Sequence, residues 1–434
     1  MDSVTIGLIG IVVLVILFFL RMPIAFAMLF CGAVGFVILK GPTAGLSLLG
    51  SELYDQFGNY NFTVIPMFVL AGSIAYVSGV GERLFIAASG LLRKLPGGLA
   101  VAATAACAGF SAICGSSAAT AAAMGKISIP AMRQFNYDDA LSTGTVAAAG
   151  TLGVLIPPST VFITYGILTQ TSIGKLFVSG ILPGIMLAIM IIITVVIICL
   201  IKPGSAPVSP PVSARKMWEG VAGIIEVVVL FVMVIGGLGI GLFSATQAGA
   251  ISAAGVFVVA LARRKLSWDG LVAAFKDSAK LSCMIMFIMV AALIFGRFIA
   301  VSRVPIELSN WMNGLNVSPL VIVVLIMVAY SIGGMFMDGL ALVTLTIPII
   351  WPTMLAMNID PIWFGCLIVL VGEQGMITPP VGINVFVIKG IAPDVPMATI
   401  FKGILPFVVT ITAALVIILF VPVIATFLPQ FMTY

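Results

Sequence analysis

The sequence predicts an all-α polytopic membrane protein made of two repeats with inverted topology, and three observations support this prediction. Of the 434 residues, 62% are hydrophobic and 8% are charged, with a mean hydropathy of +1.28, so the chain has too little polar surface for a water-soluble fold. Apolar runs close to the length that crosses a bilayer recur throughout the chain. One long motif also occurs twice, once in each half.

The repeated motif occupies residues 130–158 and 352–380, which end in GTLGVLIPP and GEQGMITPP. Two adjacent prolines remove two helix donors and push the preceding residue out of the helical region, so each copy predicts an interrupted helix. A simple kink would explain one copy. Two interruptions in equivalent places instead indicate the binding site of a transporter. The copies align without gaps at an offset of 222, with identities at Pro130/Pro352, Met132/Met354, Asn136/Asn358, Asp138/Asp360, Gly150/Gly372, Gly153/Gly375, Pro157/Pro379 and Pro158/Pro380.

The first half is predicted to contain five crossings and one re-entrant hairpin. The hairpin is predicted at 97–132, which is rich in Ala, Gly, Ser and Thr, and ordinary packing of small-residue helices is the alternative. Basic residues on the otherwise apolar stretch 82–95 predict an interfacial helix. The other elements are spans at 4–20, 22–39 and 62–80, a polar loop with Glu52, Asp55, Asn59 and Asn61, the interrupted helix at 137–170 and a span at 176–201.

A proline-rich linker at 202–218 leads into a second half that repeats the same order of elements. Its hairpin is predicted at 319–357, with Gly333, Gly334 and Asp338 near the middle. The remaining elements are spans at 219–239, 244–262 and 281–300, an interfacial helix at 303–315, the second interrupted helix and a last span at 397–425.

Five crossings in the first half place the second half in the opposite orientation, so the repeats are predicted to be inverted. With the linker in the cytoplasm, only four of the 20 Lys and Arg lie outside, in agreement with the positive-inside rule. Both termini are then periplasmic, and the hairpins enter from opposite sides, so that their tips meet near the midplane. Asp2 before the first span and Arg21 after it reverse the charge order of a cleaved signal. The four outside residues are Lys40, Lys175, Arg297 and Arg303.

Residues that carry catalysis are scarce in this sequence. It contains no histidine, the commonest metal ligand and proton-relay group. Its six cysteines are scattered through apolar segments without metal-ligand spacing, as expected of buried thiols with a packing role. We therefore predict that the protein is not an enzyme and that it has no cofactor.

Three carboxylates fall well inside apolar segments, where an ionisable residue is a candidate for function. Asp338 is the strongest candidate because it is placed at a hairpin tip. Glu373 lies between Gly372 and Gly375 in the second interruption, where it either serves the site or holds the hairpin to the core. Glu226 is either a functional group or a structural partner near a helix end.

The ends of the interrupted helices and the hairpin tips present free backbone groups at membrane depth. Carbonyls and hydroxyls there suit Na+, whereas free amides and positive dipole ends suit an anion. The sequence therefore predicts ion-coupled uptake of a small anion.

Three segments resemble the large membrane subunit of TRAP transporters: FSAICGSSAATAAAMG at 110–125, GTLGVLIPPS at 150–159 and ITPPVGINVF at 377–386. The resemblance covers essentially the whole chain. It implies an elevator-type carrier of the ion transporter superfamily, in the bacterial inner membrane and surrounded by lipid. The implied partners are a small four-span membrane subunit and a periplasmic substrate-binding protein that delivers an organic acid. Na+ is the implied coupling ion, and no nucleic acid is involved.

The resemblance also implies site residues. A departure occurs at Cys114, where related sequences commonly have serine, and a thiol is a poor Na+ ligand. The first Na+ site falls on Ser111, Cys114 and the carbonyls of Gly153, Ile156 and Pro158, and the second on Gly334, Gly375, Thr378 and Val381. Substrate falls near Ser116, Ser117, Ser159, Thr160, Asp338 and Asn384.

The implied domain organisation divides each repeat into a fixed scaffold, an arm helix and a transport part that moves. The first repeat, 1–201, comprises scaffold 1–80, arm 82–95 and transport part 97–201. The second repeat, 219–434, comprises scaffold 219–300, arm 303–315 and transport part 319–425.

Two other functions are consistent with the residues. A stand-alone Na+/dicarboxylate symporter of the same superfamily would share the repeats and need no partner. A channel would use the same interrupted helices but would conduct without saturating. The substrate stays open among sialic acid, C4-dicarboxylates and other carboxylates.

Overall fold

The computed structural model describes residues 2–207, 214–314 and 318–432, and these residues form helices and connecting turns without any β-strand. Eight helices in the described ranges are long and apolar enough to cross a membrane, and five shorter apolar helices accompany them. The predicted all-α, multi-pass membrane fold is therefore confirmed.

The first half consists of twelve α-helices in the described residues. A short 3₁₀ turn, Tyr60–Thr63, joins the third and fourth helices, and another, Pro203–Ser205, follows the twelfth. The helices are α1 Ser3–Phe19, α2 Ile24–Lys40, α3 Pro42–Phe57, α4 Val64–Val77, α5 Val80–Leu92, α6 Gly98–Cys114, α7 Ser117–Gln134, α8 Asp139–Gly150, α9 Leu152–Leu155, α10 Thr160–Thr169, α11 Ile173–Ser179 and α12 Ile181–Ile201.

The second half repeats much of this helix order. The helices α2 and α15, and likewise α7 and α19, begin within one residue of the offset of 222 that the repeated motif predicted. A π-helical turn, Val232–Gly236, follows the first helix of this half. The helices are α13 Ala214–Phe231, α14 Gly237–Gly239, α15 Ala245–Ala262, α16 Trp268–Val301, α17 Val304–Gly314, α18 Pro319–Gly334, α19 Gly339–Ala356, α20 Pro361–Ile377, α21 Ile383–Ile391, α22 Met397–Phe420 and α23 Val423–Thr426.

Both predicted helix interruptions are present. The chain is extended at Ile156, directly before the first proline pair, and helix resumes at Thr160. It is likewise extended at Thr378, directly before the second pair, and resumes at Ile383. A residue that precedes proline avoids the helical region, so each break occurs where the local sequence requires it.

Three sequence predictions differ from the structure. The predicted polar loop after the second span is mostly helix α3, which starts with Pro42 in the first turn, where its missing N–H is not needed. The third span of the second half begins at Trp268, far before residue 281, because Ser267 caps the helix and no proline interrupts it. The linker ends where α13 begins at Ala214, before residue 218.

The predicted linker and the second arm extend partly beyond the part of the chain that the structure describes. Residues 208–213 of the linker and residue 315 of the arm lie outside the described ranges. The described part of the predicted second arm is the helix α17. The predicted first arm corresponds to the helix α5, which packs against α6 and α13.

Helices of the first half pack against helices of the second half. The helix α2 packs against α16, and α4 packs against α15. Met28 of α2 lies in one buried apolar cluster with Phe295 and Phe298 of α16. The helices of the hairpins and interruptions also cross over, since α7 contacts α21 and α10 contacts α19. Each half therefore completes the core of the other.

Candidate functional site

Each hairpin tip is hydrogen-bonded to the interrupted helix that follows it in the chain. At the first tip, the backbone N–H and the hydroxyl of Thr160 both donate to the carbonyl of Gly115, at 3.3 and 3.1 Å. At the second tip, the N–H of Gly382 donates to the carbonyl of Met335 at 3.3 Å. Tip and interruption therefore form one unit in each half.

The two units also meet each other through polar side chains. The Asn384 amide, in the second interruption, donates to the hydroxyl of Ser117 at the first tip over 2.7 Å. A Cβ atom built on Gly339 at the second tip would lie 3.6 Å from Oε1 of Glu373. Ser117 and Glu373 also line the same cavity. Both tips and both interruptions therefore share one polar centre.

A cavity of about 470 Å³ opens at this centre. Its walls come from both hairpin tips, both interruptions and the helices α4 and α16. Three carboxylates line it, and none of the described lining residues is Lys or Arg. The polar lining side chains are Ser73, Tyr76, Ser116, Ser117, Thr160, Asp277, Asp338 and Glu373.

Three helices begin at the cavity with capped N-termini. Ser116 caps α7 by accepting the N–H of Ala119, and Ser159 caps α10 by accepting that of Phe162. Asp338 caps α19 by accepting the N–H of Ala341 at 2.8 Å, so a carboxylate already occupies that N-terminus. The N-termini of α7 and α10 carry neutral caps, and their positive dipole ends suit an anionic ligand.

Four of the six predicted substrate residues line this cavity: Ser116, Ser117, Thr160 and Asp338. Ser159 and Asn384 are fully buried behind the wall, where one caps α10 and the other binds Ser117. Their contact with substrate stays a prediction, and the structure shows the packing role of each.

The first predicted Na+ site stays a prediction, and the structure shows which oxygen atoms lie near its residues. The Ser111 hydroxyl donates to the carbonyl of Cys107 at 2.6 Å and keeps its lone pairs free. A Cβ on Gly153 would lie 2.5 Å from the Ser116 carbonyl oxygen and 2.6 Å from Oγ1 of Thr120, a buried oxygen with no hydrogen-bond partner. Ile156 and Pro158 lie buried in the same break, whereas Cys114 offers only sulfur from its side chain.

Two backbones approach closely at the residues of the second predicted Na+ site. A Cβ on Gly334 would lie 2.8 Å from the Gly372 carbonyl oxygen, and one on Gly375 would lie 2.5 Å from Cα of Gly334. The Thr378 hydroxyl donates to the Gln374 carbonyl at 2.6 Å, which leaves its oxygen free to bind a cation. Val381 follows the exposed proline pair and precedes α21. Oxygen ligands of this kind suit Na+.

The three candidate carboxylates separate into two groups. Glu226 lies outside the cavity and pairs with Arg83 at 3.3 Å and with Arg263, so its structural interpretation holds. Asp338 and Glu373 line the cavity. Of these two, Glu373 is 1% exposed, and its Oε2 has no hydrogen-bond partner in the described structure.

The part of the cavity wall that α4 and α16 form was not predicted from the sequence. Ser73 and Tyr76 come from α4, and Asp277 from α16. Tyr76 also accepts a hydrogen bond from Lys126 of α7 at 3.0 Å. Ser73 and Tyr76 lie in the predicted span 62–80, and Asp277 lies outside every predicted element, so only the packing of distant helices brings them to the cavity.

An all-helical membrane chain in which two interrupted helices and two hairpin tips surround a polar cavity has the architecture of a secondary transporter. The family model described as "Tripartite ATP-independent periplasmic transporter, DctM component" matches residues 11–424. The chain therefore belongs to the DctM family and is a TRAP transporter large permease component, which confirms the resemblance found in the sequence.

Similar proteins include the C4-dicarboxylate TRAP transporter large permease protein DctM of Pseudomonas aeruginosa, 33% identical over 91% of this chain and 92% of that protein. The sialic acid TRAP transporter large permease protein SiaM of Vibrio cholerae is 29% identical over 95% and 96%. A crystal structure of the YdaH transporter of Alcanivorax borkumensis aligns with a TM-score of 0.62 over 87% of this chain and 88% of that chain. Its identity of 16% indicates a shared fold alone.

Proposed function

We propose that this chain imports a small organic acid anion by Na+ coupling, as the large membrane subunit of a TRAP transporter. The observation that carries the proposal is the polar cavity at the convergence of both tips and both interruptions, in a chain of the DctM family. The names of the relatives point to C4-dicarboxylates or sialic acid. A small four-span subunit and a periplasmic binding protein would complete the transporter in the bacterial inner membrane.

Contacts across the fold support the proposed inverted topology, in which both termini are periplasmic. Arg133 binds Asp394 at 2.7 Å, and both residues fall on the predicted cytoplasmic side. Arg297 binds Glu52 at 2.8 Å, and both fall on the predicted outer side. The hydrogen bonds from Arg133 lower the pKa of Asp394, which keeps that carboxylate ionised. Residues assigned to one side therefore pair with each other.

An elevator mechanism fits the position of the cavity. Its walls combine α4 and α16, which belong to the proposed scaffold, with tips and interruptions of the proposed transport block. Tyr76, near the end of α4, and Asp277, in the first third of α16, fall toward the predicted cytoplasmic side. A block that carries both Na+ sites and the substrate must move whole, because separating its parts would dismantle those sites.

The function is tested by uptake into proteoliposomes that contain this chain, the small subunit and the binding protein. We expect uptake to require an inward Na+ gradient and to change little with a proton gradient, because the chain has no histidine to relay protons. Full uptake driven by a pH gradient in Na+-free buffer would contradict the proposal. Full uptake without the small subunit would favour a stand-alone symporter, and flux that does not saturate would favour a channel.

A substitution tests the second Na+ site. Thr378→Val removes the hydroxyl oxygen and keeps nearly the same shape, so the Na+ concentration for half-maximal uptake should rise about three- to tenfold, as expected for the loss of one polar contact. Thr426→Val removes a similar hydroxyl, which donates to the carbonyl of Pro422 four residues earlier at 3.2 Å, and serves as the control. An unchanged Na+ curve for Thr378→Val would remove this residue from the site.

A further inference from the structure

We propose that a second cavity, which we call the outer cavity, receives the carboxylate of the organic acid before transport, and that Arg297 binds it there. This inference rests on the proposed function and deepens it, because it adds a binding site on the predicted outer side. The outer cavity has a volume of about 820 Å³. We call the cavity of about 470 Å³ between the hairpin tips the central cavity.

The walls of the outer cavity come from both the proposed scaffold and the proposed transport block. The scaffold contributes the end of α3, the 3₁₀ turn after it, the start of α15 and part of α16, and the block contributes the end of α10 and the start of α11. The polar lining includes the amides of Asn59, Asn61 and Gln170 and the hydroxyls of Thr171 and Ser172. Such groups suit the uncharged polar atoms of an organic acid.

Arg297 is held in the outer cavity by a buried carboxylate. Among the described lining residues, Arg297 is the one cation and Glu52 the one anion. Nε of Arg297 donates to Oε1 of Glu52 at 2.8 Å, and the Gln56 amide donates to the other carboxylate oxygen at 3.3 Å. The side chain of Glu52 is 8% exposed, whereas that of Arg297 is 64% exposed. Glu52 therefore fixes the position of an accessible guanidinium through its Nε.

The terminal nitrogens of Arg297 are available for a ligand. Within the described ranges, Arg297 donates through Nε, and neither terminal nitrogen has a hydrogen-bond partner. A guanidinium presents its N–H groups as a planar fork that matches the two oxygens of a carboxylate. The central cavity, by contrast, has no Lys or Arg among its described lining residues. The outer cavity is therefore the better suited of the two to the first capture of an anion.

One helix connects the two cavities. Thr160, the first residue of α10, lines the central cavity, and Gln170, directly after the last, lines the outer cavity. Ten residues of helix span about 15 Å. Because α10 belongs to the proposed transport block, outward movement of the block would bring Thr160 toward the level at which Arg297 of the scaffold lies. An anion held by Arg297 would then lie beside the opened central cavity.

The experiment measures how far an organic acid protects a cysteine in the outer cavity. Asn61 is exposed and lines this cavity, so Asn61→Cys, in a background without the six native cysteines, is labelled with the uncharged reagent N-ethylmaleimide. The sample is the purified complex with the small subunit in Na+-free buffer. Succinate, a C4-dicarboxylate, and N-acetylneuraminate, a sialic acid, are the probes. We expect at least one of them to slow labelling, and succinamide, which resembles succinate without its charges, to leave the rate unchanged.

Variants test the role of Arg297 in this protection. Arg297→Lys keeps the charge but loses the fork, so the acid concentration for half-maximal protection should rise about tenfold. Glu52→Gln combined with Arg297→Gln removes both members of the ion pair, so no buried carboxylate is left unpaired, and protection should be lost. Lys40→Gln removes another predicted outer cation, which is described and is not part of the cavity lining, and should leave protection unchanged.

Equal protection by succinamide and succinate would overturn the inference, because the charge would then not be recognised. Equal half-maximal concentrations with and without the Arg297 substitutions would overturn it too. Absence of protection by both acids would also overturn it, even if the binding protein alone protects, since the fork would then bind a protein carboxylate. Uptake that needs no Na+ would contradict the proposed function and would leave the protection result unaffected.

Discussion

Gly375→Ala is expected to abolish transport. A Cβ at this position would lie 2.5 Å from Cα and 2.6 Å from the carbonyl carbon of Gly334, and 2.9 Å from the carbonyl oxygen of Ser331. All three are backbone atoms, which cannot rotate away, so the hairpin α18 must separate from α20. Overpacking of this kind costs about 1–3 kcal/mol or more. We expect uptake to fall more than tenfold and the thermal stability of the purified chain to decrease.

Gly372→Ala is the matched control, one helical turn earlier in the same helix. The nearest atom to a Cβ there is Cα of Gly339 at 3.7 Å, which is an ordinary van der Waals contact. Alanine is about 1 kcal/mol better than glycine inside a helix, so this variant should fold at least as stably as the unmodified chain. Equal uptake by the Gly375→Ala and Gly372→Ala variants would show that close approach at Gly375 is not required.

A disulfide between the proposed scaffold and transport block is expected to stop uptake. A Cβ on Gly296 of α16 would lie 3.2 Å from Cβ of Pro348 of α19. This is close to the separation of about 3.5–4.5 Å that disulfides require. The double variant Gly296→Cys and Pro348→Cys would be made in a background without the six native cysteines. Oxidation should block uptake and a reductant should restore it, because the block can no longer move past α16.

The control disulfide joins two helices of the scaffold itself. A Cβ on Gly249 of α15 would lie 3.0 Å from Cβ of Met67 of α4. The double variant Gly249→Cys and Met67→Cys should therefore form a disulfide as readily as the 296–348 pair. Uptake should survive this oxidation because the two helices remain together throughout transport. Full uptake by the oxidised 296–348 variant would contradict the elevator mechanism and favour local gating at the tips.

Features that depend on neighbouring residues were predictable from the sequence. The helix interruptions follow from the two proline pairs, since a residue before proline avoids the helical region wherever it lies. The extended conformations of Ile156 and Thr378 show this effect in both halves. The re-entrant hairpins at 97–132 and 319–357, predicted from small residues and from glycines near the tips, stay predictions, and the structure has the helix pairs α6–α7 and α18–α19 there.

Predictions that depended on where a polar segment would pack were less successful. The stretch with Glu52 and Asp55 was read as a loop from its polarity, yet it forms α3, where Glu52 is buried and binds Arg297 from the other half. The start of α16 was placed too late for a similar reason. Polarity marks exposure to water, but it does not exclude a helix that lies beside a membrane span.

The sequence by itself determined that this chain is a membrane protein with two interrupted helices, because composition and proline chemistry act locally. The tertiary structure decided what those interruptions surround. The sequence favoured Asp338 among three carboxylates and left the roles of Glu226 and Glu373 open. In the structure, Glu226 pairs with two arginines, whereas Asp338 and Glu373 face one cavity. Long-range packing alone makes this distinction, because the partners of a buried charge come from helices that are distant in the chain.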